Sequence, residues 1–259
     1  MTFIHLPQTT STNLWLREHA EDYANEELTV VSTDNQTDGR GCGTNTWESQ
    51  KGQNLLFSVL CHPKDINATQ QFLLLEAMAL AVKHTLDKWL PQGEKLKIKW
   101  PNDIYWHDRK MGGTLTECAL NGQHIKWCII GTGININQTM FSPQLPNPVS
   151  MRQITGHRLS TETLLKSIMA SFANQLLLSG EKQTAAPHPI GDTDKDEMQR
   201  QYMEALYRRH GHHTYNDAQG EFEAEIIAVA PDGTLTLRDR QQRLRQYRFK
   251  EVNFIINNQ

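Results

Sequence analysis

An α+β protein is predicted: a mixed β-sheet with packed helices, followed by a small all-β unit. Three observations point to it. Two segments repeat apolar residues at the helical steps of three and four. Short apolar runs of strand length lie before and between them. From about Gly211 the pattern changes to short strands separated by turn residues, the signature of a small barrel. The 259 residues suit one large domain with a small one appended, and we place the division between residues 1–209 and 210–259.

Residues 28–32 form an apolar run with two valines and read as a strand, as do residues 54–60. The segment between them, residues 33–46, is rich in Thr, Asp, Asn, Gln and Gly. It reads as a long loop of the kind that carries function. Phe72, Leu75, Ala79, Val82, Leu86 and Trp89 then mark a helix ended by Pro91 and Gly93. Leu96, Ile98 and Trp100 alternate with Lys95, Lys97 and Lys99, as on a half-buried strand. Residues 114–119 and 126–136 are two more strands joined at an Asn121-Gly122 hairpin turn. Leu164, Leu165, Ile168, Met169, Phe172 and Leu176 mark a second helix, capped by Ser160 or Thr161 and ended by Gly180. Residues 181–197 are polar, with Pro187, Pro189 and Gly191, and read as an exposed loop or linker. A short helix follows at about 197–209. In the tail, residues 222–230, 234–238 and 244–249 read as strands, with Pro231-Asp232-Gly233 as a turn.

A net charge of −3 implies no general attraction to nucleic acid. No run approaches the ~18 apolar residues of a membrane span, and residues 1–5 lack the pattern of a secretory signal. Cys42, Cys61, Cys118 and Cys128 show no CxxC spacing, so no zinc site is expected; reduced thiols in a cytoplasmic protein are the simplest account. His5, His19 and the histidines between His210 and His213 form no metal-binding pattern, the latter reading as a solvated turn. No Ser-His-Asp or Cys-His arrangement stands out.

The chemistry concentrates in two stretches. Lys99-Trp100-Pro101-Asn102-Asp103, with Lys110 and Gly112-Gly113 downstream, brings two lysines, a carboxylate and an amide to a strand end. Pro101 biases Trp100 toward extended geometry, and Asp103 and Lys110 fall on adjacent strand ends of one hairpin. Asp103 there either orients a lysine or holds a magnesium ion. The plain alternative is a hairpin with solvated charges. Upstream, Gly39-Arg40-Gly41-Cys42-Gly43-Thr44 leads to Trp47: glycines open the backbone as anion donors, Arg40 adds a cation and Trp47 a flat apolar surface. The plain alternative is a flexible surface loop; neither a P-loop nor a dinucleotide fingerprint is present. Ser11-Thr12-Asn13 reads first as a helix N-cap, and second as a set of donors to a ligand. Gly133 marks close approach by another group, and Asn135 either faces a ligand or ends its strand. Arg238, Arg240, Arg243, Arg245, Arg248 and Lys250 stand against one acid, Asp239, in their window. They read as a solvated strand face, or more sharply as a contact for an acidic partner or phosphates.

In this order, Ser11-Thr12-Asn13, Gln36, Gly39-Arg40-Gly41, Trp47, Lys99 to Asp103, Arg109-Lys110 and Gly131 to Asn135, the chain resembles the biotin protein ligases. The tail, with Phe222, Asp232-Gly233 and Phe249-Lys250-Glu251-Val252, resembles their C-terminal SH3-like domain. The resemblance implies a class II synthetase-like catalytic domain and a two-step reaction. Biotin and Mg-ATP form biotinyl-5′-adenylate, and the acyl group passes to a lysine of a biotin carboxyl carrier protein or domain. It implies that Ser11, Thr12, Asn13, Gln36, Gly39, Gly41, Cys42, Gly113 and Gly133 surround biotin. Trp47, Asn102 and Asn135 would serve the nucleotide, with Arg40 and Lys110 reaching both ligands. Lys110 would bridge the biotin carboxylate and α-phosphate, and Asp103 would support the catalytic lysines or the acceptor. Magnesium would come with the nucleotide, its protein ligands left open.

Two departures matter. Many members carry more arginine in the Gly-Arg-Gly loop, where this chain has Cys42, Gly43 and Thr44. No room is expected before Ser11 for a helix-turn-helix domain, so neither a repressor role nor a nucleic-acid partner is expected. Membrane association is likewise not expected, and oligomeric state is left open, a homodimer included. Two alternatives stand beside the ligase: a lipoate or octanoate ligase or transferase of the same fold, and a non-catalytic biotin-binding module.

Overall fold

The computed structural model describes residues 1–43, 45–63, 66–178 and 192–256. In chain order the elements are β1 (Thr2–Leu6), α1 (Thr12–Glu18), β2 (Leu28–Thr33), β3 (Leu55–Cys61), α2 (Phe72–Leu86), β4 (Lys97–Lys99), β5 (Asp103–Trp106), β6 (Arg109–Asn121) and β7 (His124–Ile134). Then come α3 (Met151–Thr155), α4 (Thr161–Leu178), α5 (Asp192–Ala205), β8 (His213–Asp217), β9 (Gly220–Val229), β10 (Leu235–Asp239), β11 (Leu244–Tyr247) and β12 (Asn253–Phe254).

The first seven strands make one mixed sheet in the order β1-β2-β3-β7-β6-β5-β4. β1 pairs parallel with β2, and the other ladders are antiparallel. The mixed sheet with packed helices is thus as predicted. Its two faces are covered differently. α1 packs on β2, β3 and β7, where Leu16 and Ala20 meet Val31, Leu60 and Ile129. On the opposite face, alternate residues of the same strands, including Val30, Val59, Cys128 and Ile130, join the large core with α2 and α4.

α2 is buried on almost every side because α4 and α5 pack against it as well as the sheet, which the apolar run over most of its length permits. Glu76 interrupts that run. Glu76 is 1 % exposed and neither carboxylate oxygen has a hydrogen-bond partner. Burial raises its pKa to about 8.

Several boundaries differ from the sequence reading. The third predicted helix begins at Asp192 rather than near residue 197, because a polar run carries no apolar periodicity to mark where the helix starts. Residues 181–191 of the predicted linker, and Gly180 as a helix end, lie outside the described residues. β1 and β12 were not anticipated, and β8 begins at His213, inside the predicted solvated turn; each is short and takes its order from neighbouring strands. Ser11 stands at the N-cap of α1 with extended backbone angles, yet its side chain makes no capping bond. Ser160 does cap α4, accepting from Thr163 N at 3.2 Å.

The tail forms a five-stranded antiparallel sheet in the order β11-β10-β9-β8-β12. Among the described residues no ladder joins β11 to β12, so the predicted barrel is an open-ordered sheet consistent with an SH3-like unit. The tail arginines are not a free basic face. Arg238 pairs with Glu225 at 2.8 Å and Arg240 with Glu223 at 3.0 Å. Arg243 and Arg245 both reach Asp239. Shielding from solvent pushes the Asp239 carboxyl up, but the Arg243 backbone N–H and both guanidinium groups outweigh it and hold the pKa at about 2. The missed acids, Asp217 on β8, which Arg245 also meets at 3.2 Å, and Glu223 and Glu225 on β9, fall outside a linear window on the basic residues.

The tail sheet shares the large core and meets the large sheet at the Asp232-Gly233 turn, among other contacts. Trp100 Nε1 donates to Gly233 O at 3.0 Å, and Phe249 meets the Trp100 ring edge-on at 6.3 Å between centroids. Gly233 has φ +87°, and a side chain there would run into Phe72 at 2.7 Å. No helix among the described residues is long and apolar enough to cross a membrane.

Candidate active site

The site begins with two backbone devices. Between β2 and β3 the chain doubles back on itself: Trp47 N donates to Gly39 O at 2.9 Å, and Gly41 N to Asn45 O at 2.8 Å. A side chain at Gly39 would stand 2.5 Å from Trp47 O, so this glycine serves the loop's own closure. The closure lays the Trp47 ring over the sheet, where a side chain at Gly133 would meet it at 2.6 Å. In the same way Gly131 leaves room for Asn13, whose Oδ1 would stand 2.1 Å from an added carbon. The floor is therefore glycine where α1 and the loop press closest.

The second device is the β5–β6 hairpin. Its turn is His107-Asp108, with His107 at φ +48°. Lys110 is pinned on the outside, its N–H donating to Asn147 O at 2.7 Å and its carbonyl accepting from Val149 N at 2.9 Å. Its ammonium then meets Asp103 Oδ1 at 2.7 Å across the hairpin. Gly113 leaves space for this pair, since a side chain there would stand 2.8 Å from Asp103 Oδ1. Asn102 Nδ2 donates to the Thr114 carbonyl. Trp100 and Pro101 are joined by a cis peptide bond.

These devices share one cavity of about 170 Å³. Ser11, Thr12, Asn13, Gln36, Arg40, Gly41, Cys42, Trp47, Asn102, Asp103, Lys110, Gly113 and Gly133 all line it. Two predicted residues do not. Gly39 sits behind the loop, as above. Asn135 is buried past the end of β7, its N–H donating to Met111 O at 2.8 Å and its carbonyl accepting from Met151 N at 3.1 Å. It ends its strand, the plainer of the two sequence readings. Thr44 lies outside the described residues.

One end of the cavity is a buried polar chain. Gln36 Oε1 accepts from Thr12 N at 2.9 Å, and the Thr12 hydroxyl lies 2.6 Å from Ser58 Oγ. Ser58 donates to Asn13 Oδ1 at 2.6 Å, and Asn13 Nδ2 donates to Glu117 at 2.9 Å. Every member is held by the next, so the side chains are fixed before any ligand arrives. The other end is cationic. Arg40 is exposed and tethered to Asp38 at 3.0 Å. Lys99 lines the cavity too, its ammonium 4.9 Å from the Phe254 ring centroid. Burial lowers the pKa of Lys99, against the opposing pull of Asp103.

Sequence reasoning singled out Lys99 with its stretch but gave it no ligand, and it missed Ser58 and Phe249 beside the cavity. These two carried no signal, because only tertiary packing brings β3 and the tail to the loop. The structure also gathers His5, Ser32 and Asp34 at the β1–β2 edge, with contacts of 3.2 and 3.4 Å. His5 and Asp34 are about half exposed there, a surface polar cluster rather than a shielded nucleophile site.

The family model described as "Biotin/lipoate A/B protein ligase family" matches residues 5–135. The "Bifunctional ligase/repressor BirA" of Bacillus subtilis is 33 % identical over 150 residues, 56 % of this chain and 45 % of the relative. The "Biotin--[acetyl-CoA-carboxylase] ligase" of Paracoccus denitrificans is 28 % identical over 139 residues, 52 % of this chain and 57 % of the relative. The chain thus spans about half the length of these curated relatives. Among solved structures, the biotin protein ligase from Aquifex aeolicus in complex with biotin and ATP superimposes with a TM-score of 0.76. It covers 99 % of both chains at 22 % identity, a likeness of fold.

Proposed function

This chain belongs to the biotin/lipoate A/B protein ligase family, and from that premise we propose that it ligates biotin, through biotinyl-5′-adenylate, to a lysine of a carboxyl carrier protein or domain. The observation that carries the proposal is that Lys110 and Arg40, distant in sequence, line one cavity whose other end is a pre-ordered polar chain. That combination suits a ligand with a neutral hydrogen-bonding head and an acid tail, joined to a nucleotide phosphate.

Biotin's ring system takes the end formed by Ser11, Thr12, Asn13 and Gln36. Its carboxylate points to Lys110. ATP brings a second anion to the same point, and Lys110 with Arg40 offsets the repulsion. These cations also stabilise charge developing on the α-phosphoryl oxygens as the carboxylate attacks and pyrophosphate leaves. Asp103 is a positioning residue that holds the Lys110 ammonium in place. Trp47 offers its ring to the adenine. Among the described residues no three His, Cys, Asp or Glu side chains stand together as a metal cage. Magnesium therefore enters this reading only as the companion of the triphosphate. The two-cation site needs no enzyme nucleophile, and the loop from Gly39 to Trp47 shields the adenylate from water. The acceptor's chemistry and the family resemblance support a cytoplasmic location.

Biotin-dependent exchange of pyrophosphate into ATP tests this directly. The parent protein is expected to exchange with biotin and not with lipoate or octanoate. Lys110→Ala is expected to lose about 10²–10³ in exchange rate while keeping its fold. Exchange driven by octanoate or lipoate alone assigns the site to the family's other branch, and biotin binding without exchange reduces the protein to a binding module.

A further inference from the structure

Three cysteines form a row across the middle of the large sheet, on the face away from α1. The ladders place Cys61 of β3 opposite Cys128 of β7, and Cys128 opposite Cys118 of β6. The two contacts are unequal. The Cys118 and Cys128 sulfurs are 2.8 Å apart, whereas the Cys61 thiol is turned to the Cys128 carbonyl at 3.6 Å. Cys118 is partly exposed, and Cys61 and Cys128 are buried.

We propose that Cys118 and Cys128 are a redox-active dithiol that hydrogen peroxide converts to a cross-strand disulfide. Residues directly opposite in an antiparallel pair have Cα atoms roughly 4.5–5.5 Å apart. That falls within the roughly 4.4–6.8 Å span that a disulfide bridges. No strand needs to move far for the bond to form. The roles of the two sulfurs differ. Cys118 is the one that an oxidant reaches, and its contact with the Cys128 sulfur lowers its pKa and favours the thiolate. Burial holds the Cys128 thiol protonated, suiting it to the second step.

The electrons balance as follows. The Cys118 thiolate attacks one oxygen of hydrogen peroxide; the O–O bond breaks, Cys118 becomes a sulfenic acid, and hydroxide leaves to take up a proton as water. Cys128 sulfur then attacks the Cys118 sulfur, the S–O bond breaks, and the departing hydroxide takes the Cys128 thiol proton as a second water. Two thiols are oxidised and one peroxide is reduced. The bond ties β6 to β7 three residues from Leu115 and Gly131, both of which line the cavity. The oxidised pair would brace the two strands that supply the cavity floor. This inference rests on the sheet alone and holds whatever the substrate.

The test is peroxide treatment of the full chain, alkylation of remaining thiols under denaturing conditions, and peptide mapping. The expected product has lost two hydrogens, keeps two of its four thiols, and links Cys118 to Cys128. Cys61→Ser is expected to form the same link. Cys128→Ser is expected to form none, its Cys118 accumulating instead as sulfinic acid. The proposal is overturned if Cys118 and Cys128 of the parent stay alkylatable after peroxide, or if the link found is Cys61–Cys128. A mass gain at Cys42 with the pair untouched overturns it equally. Parent mapping needs no variant to fold, so the outcome stands even if a serine substitution is destabilising.

Discussion

On β7, Gly131 and Gly133 turn toward α1 and the Trp47 loop, while Cys128, Ile130 and Ile134 turn toward α2. The same strand thus serves two surfaces built by opposite rules. The α2 face is packed with apolar side chains, and the charged intruder among them, Glu76, has no hydrogen-bond partner among the described residues. The α1 face gives up side chains at the floor and fills the space with Thr12, Asn13, Ser58 and Gln36, linked to one another in a hydrogen-bonded chain. One face is optimised for burial. The other is optimised for order around a space, and its stability comes from mutual hydrogen bonding rather than contact area.

The comparison predicts the largest effect at Glu76. In the unfolded chain its pKa is 4.5 and in the fold it is about 8. The folded state therefore holds the extra proton between those values. The stability that Glu76 contributes is fully present below pH 4.5, is lost as pH rises, and is gone above about 8. The loss over the whole interval is roughly 5 kcal/mol. Urea denaturation of the parent at pH 5 and pH 8 should show it, and Glu76→Gln should flatten the slope. A parent whose stability is pH-independent across that interval would remove the asymmetry between the faces. Next comes Gly131→Ala. The new methyl presses on Asn13, which Ser58 and Glu117 hold, and should cost roughly 1–3 kcal/mol in thermal or urea unfolding. A neutral outcome would mean that the α1 face is looser than the α2 face.

Ser58→Ala probes the polar chain itself. Removing the hydroxyl leaves Asn13 Oδ1 without its donor, at a cost of about 1–2 kcal/mol. The expected companion effect is weaker biotin binding by calorimetry, with no change in the packing of α2. The smallest effect belongs to neither face. Arg240→Ala, which cuts an exposed pair with Glu223 in the tail sheet, should change stability by less than ~1 kcal/mol.

The helical period of α4 was legible because it buries one regular set of positions, whereas α2, β2 and β3, buried nearly throughout, were legible as apolar runs of helix or strand length. The Lys99–Lys110 stretch was legible as a hairpin because Pro101 and the glycine pair limit what the backbone can do there. What escaped was set by distance along the chain. β1 and β12 are strands only by virtue of their partners. The tail arginines looked unpaired because Glu223, Glu225 and Asp217 sit on other strands. Gly39 and Asn135 belong to the right neighbourhood, but backbone closure uses one and strand termination the other. A glycine that serves a ligand and a glycine that serves a loop have the same letter.

The Trp100 indole is anchored to Gly233, with Phe249 against its edge. Trp100 lies directly before Pro101 and Asn102, so the wall of the cavity and the tail are mechanically one piece. A protein cut at residue 209 would take away the carbonyl that the indole N–H donates to and strip Phe249 from the rim. The fifty-residue appendage is on this view a keystone, and swapping it for the tail of another family member would retune the pocket rather than merely decorate it.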